Sequence, residues 1–142
     1  MRTFPLCLAI LAAPVAGQSA PALTGVAIVS VGSTAGVERI APGQTDTQRH
    51  HAPGPVSIVI EESGIGGARV TMIDGEARSL PSSTRPLCGP QRAAGACTPG
   101  QPIGGLEITY RVPRIAPGQT FTFRDRSASG PGAPIETAIM IR

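Results

Sequence analysis

RIAPGQT stands at residues 39–45 and again, unchanged, at residues 114–120. Proline holds φ at about −65° and the glycine after it is free to take positive φ, so Ala-Pro-Gly-Gln carries the signature of a type II turn. In the second copy the turn leads into Thr120-Phe121-Thr122-Phe123-Arg124, which alternates polar and apolar as a half-buried strand does. In the first copy it leads into Thr45-Asp46-Thr47-Gln48-Arg49-His50-His51, polar throughout, which predicts an edge strand or an exposed surface loop. Two half-length domains would each have a marginal core. The repeat therefore reads as one turn solution used twice within a single unit.

Working outward from the two turns, the chain offers further extended segments. Residues 23–31 are β-branched and apolar, a first strand. Residues 56–62 place Val56, Ile58 and Ile60 on one face, with Glu61 and Glu62 expected as charged guards at the strand end. Ser63-Gly64-Ile65-Gly66-Gly67 predicts a flexible connection, and its glycines lack the spacing and the following helix of a phosphate cradle. Asp74-Gly75, between extended arms at 69–73 and 76–80, is the signal of a type I′ hairpin. Leu106, Ile108, Tyr110 and Val112 alternate with Glu107, Thr109 and Arg111, and residues 135–142 supply a last strand. Residues 81–105, rich in Pro, Gly, Ser and Arg, predict a loop. About seven strands separated by turn signals, with no amphipathic helix in the mature chain, predict an all-β fold: one immunoglobulin-like β-sandwich over residues 18–142.

The segment 23–45, an apolar strand leading through a short loop to IAPGQT, and the second copy, IAPGQTFTF, resemble the bacterial secreted immunoglobulin-like modules of the CARDB kind, in which a PGQ turn leads into a Thr-rich strand. The resemblance covers two short pieces. It implies an extracellular or periplasmic sandwich used for adhesion, spacing or assembly, and it carries over no catalytic residue. The Asn that often closes the following strand in those modules has no counterpart, because this chain contains none.

The N-terminus predicts export. A short positive start is followed by an apolar run at residues 4–13 and by small residues, the pattern of a signal peptide over residues 1–17. That run is too short to span a bilayer, and no other stretch approaches the length of a transmembrane helix. Cys7 falls inside the run and lacks the context of a lipidation site. Cys88 and Cys97 are close in sequence, and in an oxidising compartment a disulfide between them is expected.

There is no Lys, no Asn and no Trp, no nucleophile-elbow motif and no zincin motif. The net charge is +3, with arginines interleaved among acids rather than gathered into a stripe, which argues against nucleic acid as a partner. Asp46, His50 and His51 are the weak candidates for a metal site, although neighbouring residues on an extended chain point to opposite faces. Tyr110, Phe121 and Phe123 sit at inward positions of alternating segments and are expected in the core rather than as exposed platforms. The expectation is a small exported, non-enzymatic module without a cofactor, meeting a protein partner through its loops or an open strand edge. Two alternatives stand beside it: a subunit of a surface polymer added by strand pairing through residues 135–141, and a periplasmic metal-binding protein or enzyme centred on Asp46, His50 and His51.

Overall fold

The computed structural model describes residues 19–142. The signal peptide expected at 1–17 and Cys7 within it lie outside the described residues. Ten strands follow in order: β1 (Gly25–Ser33), β2 (Gly36–Arg39), β3 (Gly54–Ser63), β4 (Val70–Ile73), β5 (Glu76–Ala77), β6 (Ser82–Cys88), β7 (Ala93–Ala94), β8 (Ile103–Ile115), β9 (Thr120–Asp125) and β10 (Ile135–Met140). They build a six-stranded sheet in the order β2-β1-β3-β8-β6-β7 and a four-stranded sheet in the order β10-β9-β4-β5. Every pairing between these strands is antiparallel. The all-β sandwich expected from the alternation is the observed fold, with ten strands rather than about seven; β6 and the two-residue β7 fall within 81–105, where no strand is expected.

The sheets are joined by one core, made by the alternating residues of both inner faces. Ile28 and Val31 from β1, Val56, Ile58 and Ile60 from β3, and Ile108, Tyr110, Val112 and Ile115 from β8 face Ile73, Phe121, Phe123, Ile139 and Ile141. The register pairs Ile58 with Tyr110 and Ile60 with Ile108 across β3 and β8. The Tyr110 ring lies tilted 6.1 Å from Phe121 and 5.8 Å from Phe123. The three aromatic residues are core, as their phase along the strands requires.

Both copies of RIAPGQT fold in the same way. Gln44 N–H donates to Ala41 O at 3.0 Å and Gln119 N–H to Ala116 O at 3.2 Å. The intervening Gly43 and Gly118 have φ of 80° and 84°, the conformation a type II turn demands at its third residue. The glutamine belongs to the motif: its side-chain oxygen folds back to accept from the N–H of Ala41 at 3.1 Å and of Ala116 at 2.8 Å. Each copy carries the chain from the end of a strand in the six-stranded sheet towards the four-stranded sheet. The second joins β8 to β9. The first leaves β2 and runs beside β10, where Met140 N–H donates to Thr45 O and Thr47 N–H to Met140 O, both at 2.9 Å. The end of β10 is thus held between the two corners, antiparallel to β9 on one side and parallel to the segment around Asp46 on the other.

Three expectations are corrected. Residues 81–105 are not a loop: β6, β7 and the start of β8 lie within them. Ser82, Ser83, Thr84 and Arg85 are all exposed, so this strand is held by its backbone pairing to β8 rather than by an apolar face, and periodicity does not reveal it. Pro86 is tolerated because β6 is paired on its outer side only at Leu87 and Cys88. The disulfide between Cys88 and Cys97 is formed, with a Cα–Cα distance of 5.4 Å. Secondly, residues 63–67 are a packed connection, not a flexible one. Ile65 N–H donates to Pro21 O and Gly67 N–H to Arg126 O, both at 2.9 Å. A Cβ on Gly66 would stand 1.8 Å from Asp125 Oδ2. Thirdly, Glu62 is not a surface guard. It continues the phase of Val56, Ile58 and Ile60 and is fully buried, whereas Glu61 points the other way and meets Arg92 at 3.8 Å. The hairpin at Asp74-Gly75 is as expected, with φ of 50° and 80° at its two central residues.

Candidate functional site

The polar run after the first RIAPGQT is where the structure departs most from an exposed loop. Glu38 lies on β2 in phase with Ile40, which packs on the core, so its side chain turns inward. There it gathers the run around itself. Glu38 Oε1 accepts from Gln48 N–H and from Gln44 Nε2, and Oε2 from Arg49 N–H, each at 2.8 Å. Burial alone would raise this carboxyl, but the two backbone N–H groups, the Gln44 amide and His51 lower it to about 2.

His51 is buried, only 4% exposed, which corrects the expectation of a wholly exposed polar run. Its Nε2 lies 3.3 Å from Glu38 Oε2 and its Nδ1 2.8 Å from Ser33 Oγ. The tautomer follows from the partners. An ionised Glu38 can only accept, so Nε2 carries the proton of the neutral imidazole; Nδ1 is then an acceptor and the Ser33 hydroxyl donates to it. Ser33 Oγ accepts in turn from Ala35 N–H at 3.1 Å. The ring is fixed from behind by its own backbone, as His51 N–H donates to Arg142 O at 2.6 Å.

The three candidate metal ligands therefore go to different partners. His51 is engaged with Ser33 and Glu38, His50 is exposed to solvent, and Asp46 forms an ion pair with Arg142. Among the described residues no group of three or more His, Cys, Asp or Glu side chains is placed to hold a metal ion.

Ser33 also lines a groove of about 740 Å³ at the end of the six-stranded sheet, where the β1–β2 turn, the start of β3 and the end of β8 meet. Its walls are mainly apolar, with Val37, Pro55, Pro81 and Pro113 among them, and Arg111 stands in it as the charged residue. Val37 is 69% exposed. It belongs to β2, which pairs on one side with β1 and forms the edge of the sheet.

A second polar cluster is buried where the ends of β3 and β9 meet the residue that precedes β4. Glu62 from β3 and Asp125 from β9 are both 0% exposed. Arg69 reaches between them, with Nε 3.2 Å and Nη2 3.1 Å from the two Glu62 oxygens and Nε 3.3 Å from Asp125 Oδ2. Asp125 Oδ1 accepts from Ala68 N–H at 2.8 Å and Arg126 N–H at 2.6 Å. Burial pushes the Glu62 carboxyl up; Arg69 pulls it down and Asp125 pushes it up again. Tyr110 is likewise raised by burial. With one cation against two acids, this cluster is a lock between the sheets, and a cavity of about 510 Å³ lined by Arg69, Arg78 and Tyr110 opens beside it.

Ser33, Glu38, Glu62, Arg69 and Asp125 were not singled out by sequence reasoning as members of a site. A signal existed for the acids. Glu62 continues Val56-Ile58-Ile60 by two, and Asp125 continues Phe121-Phe123 by two, so the pleat that turns the apolar residues inward turns both acids inward as well. No comparable local signal points to Ser33, whose partner is 18 residues away.

The role of Glu38 is open to a direct test. A carboxyl lowered from 4.5 to about 2 on folding stabilises the folded state fully above its unfolded value, and that contribution is lost as pH falls through the window between the two values. In urea titrations between pH 7 and pH 2, Glu38→Gln is expected to unfold more readily than wild type at pH 7, by about 1–3 kcal/mol. The gap should then close as the pH drops through that window. A gap independent of pH would show that Glu38 does not act as the ionised acceptor.

No curated protein and no solved structure matches the chain. Residues 13–141 match the family described as "Domain of unknown function (DUF4879)", and the chain, matched over most of its length, belongs to that family.

Proposed function

We propose that this protein is an exported β-sandwich module that binds a partner protein through the edge strand β2 and the apolar groove beside it. The observation that carries this reading is the open edge at Val37, exposed and next to a groove walled by Pro55, Pro81 and Pro113. An extended segment pairing with such an edge gains main-chain hydrogen bonds, and an adjacent groove selects an apolar side chain from it. Export is supported by the leader pattern in the sequence and by the disulfide between Cys88 and Cys97. The PGQ turn that resembles modules of the CARDB kind favours the same compartment. Nucleic acid is a poor fit, since Arg69, Arg78, Arg85, Arg92, Arg124 and Arg142 are each in contact with an acid.

Polymerisation through residues 135–141 is the weaker reading, because β10 is flanked by β9 and, at its end, by the segment around Asp46. A photo-crosslinking residue in place of Val37, in protein produced by its own host, is expected to yield a discrete higher-mass adduct. The same residue in place of the exposed Ala133 is expected to yield none. Equal adducts at both positions, or none at Val37, would overturn the assignment of this edge. An adduct with the mass of a second copy would favour self-assembly instead.

A further inference from the structure

We propose that Ser33 is the nucleophile of an acyl-transfer site, activated by His51 and Glu38, whose substrates are esters that place an apolar acyl group in the groove. The observation is an ordered chain of three side chains from three segments: the β1 end, β2 and the run after the first RIAPGQT. Ser33 Oγ lies 2.8 Å from His51 Nδ1, and His51 Nε2 lies 3.3 Å from Glu38 Oε2. Hydroxyl, imidazole and carboxylate in that order are the parts of a nucleophile and its base, recognised by geometry and role rather than by position in the chain. The order of the two ring nitrogens is the reverse of the familiar serine-protease arrangement, with serine on Nδ1 and the acid on Nε2. The proton logic survives the exchange, because the acid still holds the protonated nitrogen and leaves the other as base towards the hydroxyl.

Other roles for the trio explain less. Glu38 alone, through two backbone N–H groups and Gln44, already ties the polar run to β2. A buried imidazole needs a partner for each nitrogen, but nothing in that need requires the second partner to be a residue that also lines a mainly apolar groove. Arg111 shares that groove and forms no ion pair among the described residues, so the groove that would take the acyl group also carries a cation.

The step balances without a further reagent. Ser33 Oγ bonds to the ester carbonyl carbon while its proton moves to His51 Nδ1. The bond from that carbon to the alkoxy oxygen breaks, and the alcohol leaves with the proton from Nδ1. Water then attacks the acyl-serine, its proton passing through Nδ1 back to Ser33 Oγ, so ester and water become acid and alcohol.

The assignment of the groove as the acyl pocket rests on the binding surface proposed above, whereas the activation of Ser33 does not. Intact protein is treated with two fluorophosphonates, one with a methyl and one with an octyl substituent, and the adduct is located by mass spectrometry. The bond from phosphorus to Ser33 Oγ forms, fluoride leaves, and the hydroxyl proton goes to His51. Wild type is expected to carry one adduct on Ser33 with either reagent, the octyl one reacting about tenfold faster. Ser33→Ala is expected to carry none and to lose hydrolysis of 4-nitrophenyl butyrate. His51→Gln is expected to slow labelling by about 100-fold or more. Val37→Asp, on an exposed wall of the groove and outside the hydrogen-bonded chain, should abolish the octyl preference, and it keeps the acyl pocket testable if His51→Gln fails to fold. Wild-type protein that takes up neither reagent, or Ser33→Ala labelled as fast as wild type, overturns the nucleophile. Methyl labelling of Ser33 without an octyl preference sinks only the groove as its acyl pocket.

Discussion

Arg69→Ala is expected to lower the unfolding free energy by about 3–5 kcal/mol, among the largest single effects in the molecule. The substitution leaves Glu62 and Asp125, both fully buried, facing each other without their cation. The Asp125 Oδ2 atom has no hydrogen bond of its own in the described structure, and its contact with Arg69 Nε at 3.3 Å is an ion pair only. It has nothing to fall back on, because Gly66 and its neighbours close the space around it. Urea denaturation at pH 7 measures the loss directly, and a change below about 1 kcal/mol, the range of an exposed pair, would show that the cluster is solvated rather than locked.

The same cluster has a pH signature opposite in sign to that of Glu38. The Glu62 carboxyl is raised above its ordinary 4.5, first by burial and then by Asp125, against the lowering by Arg69. A carboxyl raised on folding binds its proton more tightly in the folded state. Its contribution is therefore whole below the unfolded value and is lost as pH climbs through the folded one. Removing Arg69 takes away the main force holding the carboxyl down, so the destabilisation of Arg69→Ala should grow from acid to neutral pH. Adding Glu62→Gln to Arg69→Ala should recover part of the loss at neutral pH and much less of it in acid.

Gly105→Ala is the second large effect, and its neighbour is the control. A Cβ on Gly105 would stand 1.9 Å from the backbone oxygen of Glu62. Gly105 pairs with Ser63 on one side and Leu87 on the other, so β8 cannot move away from β3 without pressing on β6. The Glu62 oxygen also accepts from Arg92 Nη2 at 3.0 Å, a bond that a shift of either strand would strain. The expected cost is about 3 kcal/mol, at the upper end of overpacking in a sheet interior. Gly104→Ala meets no heavy atom within 4 Å and should be neutral or stabilising by up to about 1 kcal/mol through its effect on the unfolded chain. Parallel denaturant titrations of the two variants decide the point: equal losses would mean that strand propensity, not the contact with Glu62, governs both.

That pair of glycines marks how far the chain could be read. Side by side in Ile103-Gly104-Gly105-Leu106 they are indistinguishable, because what separates them is a carbonyl more than forty residues earlier in the sequence. The two acids of the cluster were half legible. The pleat carries Glu62 and Asp125 inward in phase with their apolar neighbours, but only the pairing of distant strands brings them within reach of Arg69. His51 was legible as the end of a polar run and illegible as a buried residue, since its burial comes from β2, the β1–β2 turn and the Arg142 backbone closing over it. The strand at Ser82–Cys88 was hidden for a related reason: four exposed polar residues in a row carry no period, and β8 supplies the pairing that makes them a strand.

What the sequence determined by itself was local. Backbone torsion at Pro-Gly and Asp-Gly, the alternation of side chains along an extended chain and the closeness of Cys88 to Cys97 are properties of neighbouring residues, and they specify both RIAPGQT corners, the hairpin, the core aromatics and the disulfide. The tertiary structure alone decided that the two corners would clasp the end of β10 between them, that Arg69 would be shared by two buried acids, and that Ser33 would meet His51 and Glu38 beside an apolar groove. Each of these joins segments whose separation in sequence leaves no local trace, and the hydrogen bonds and charges that unite them take their strength from burial that exists only once both sheets have closed on one core.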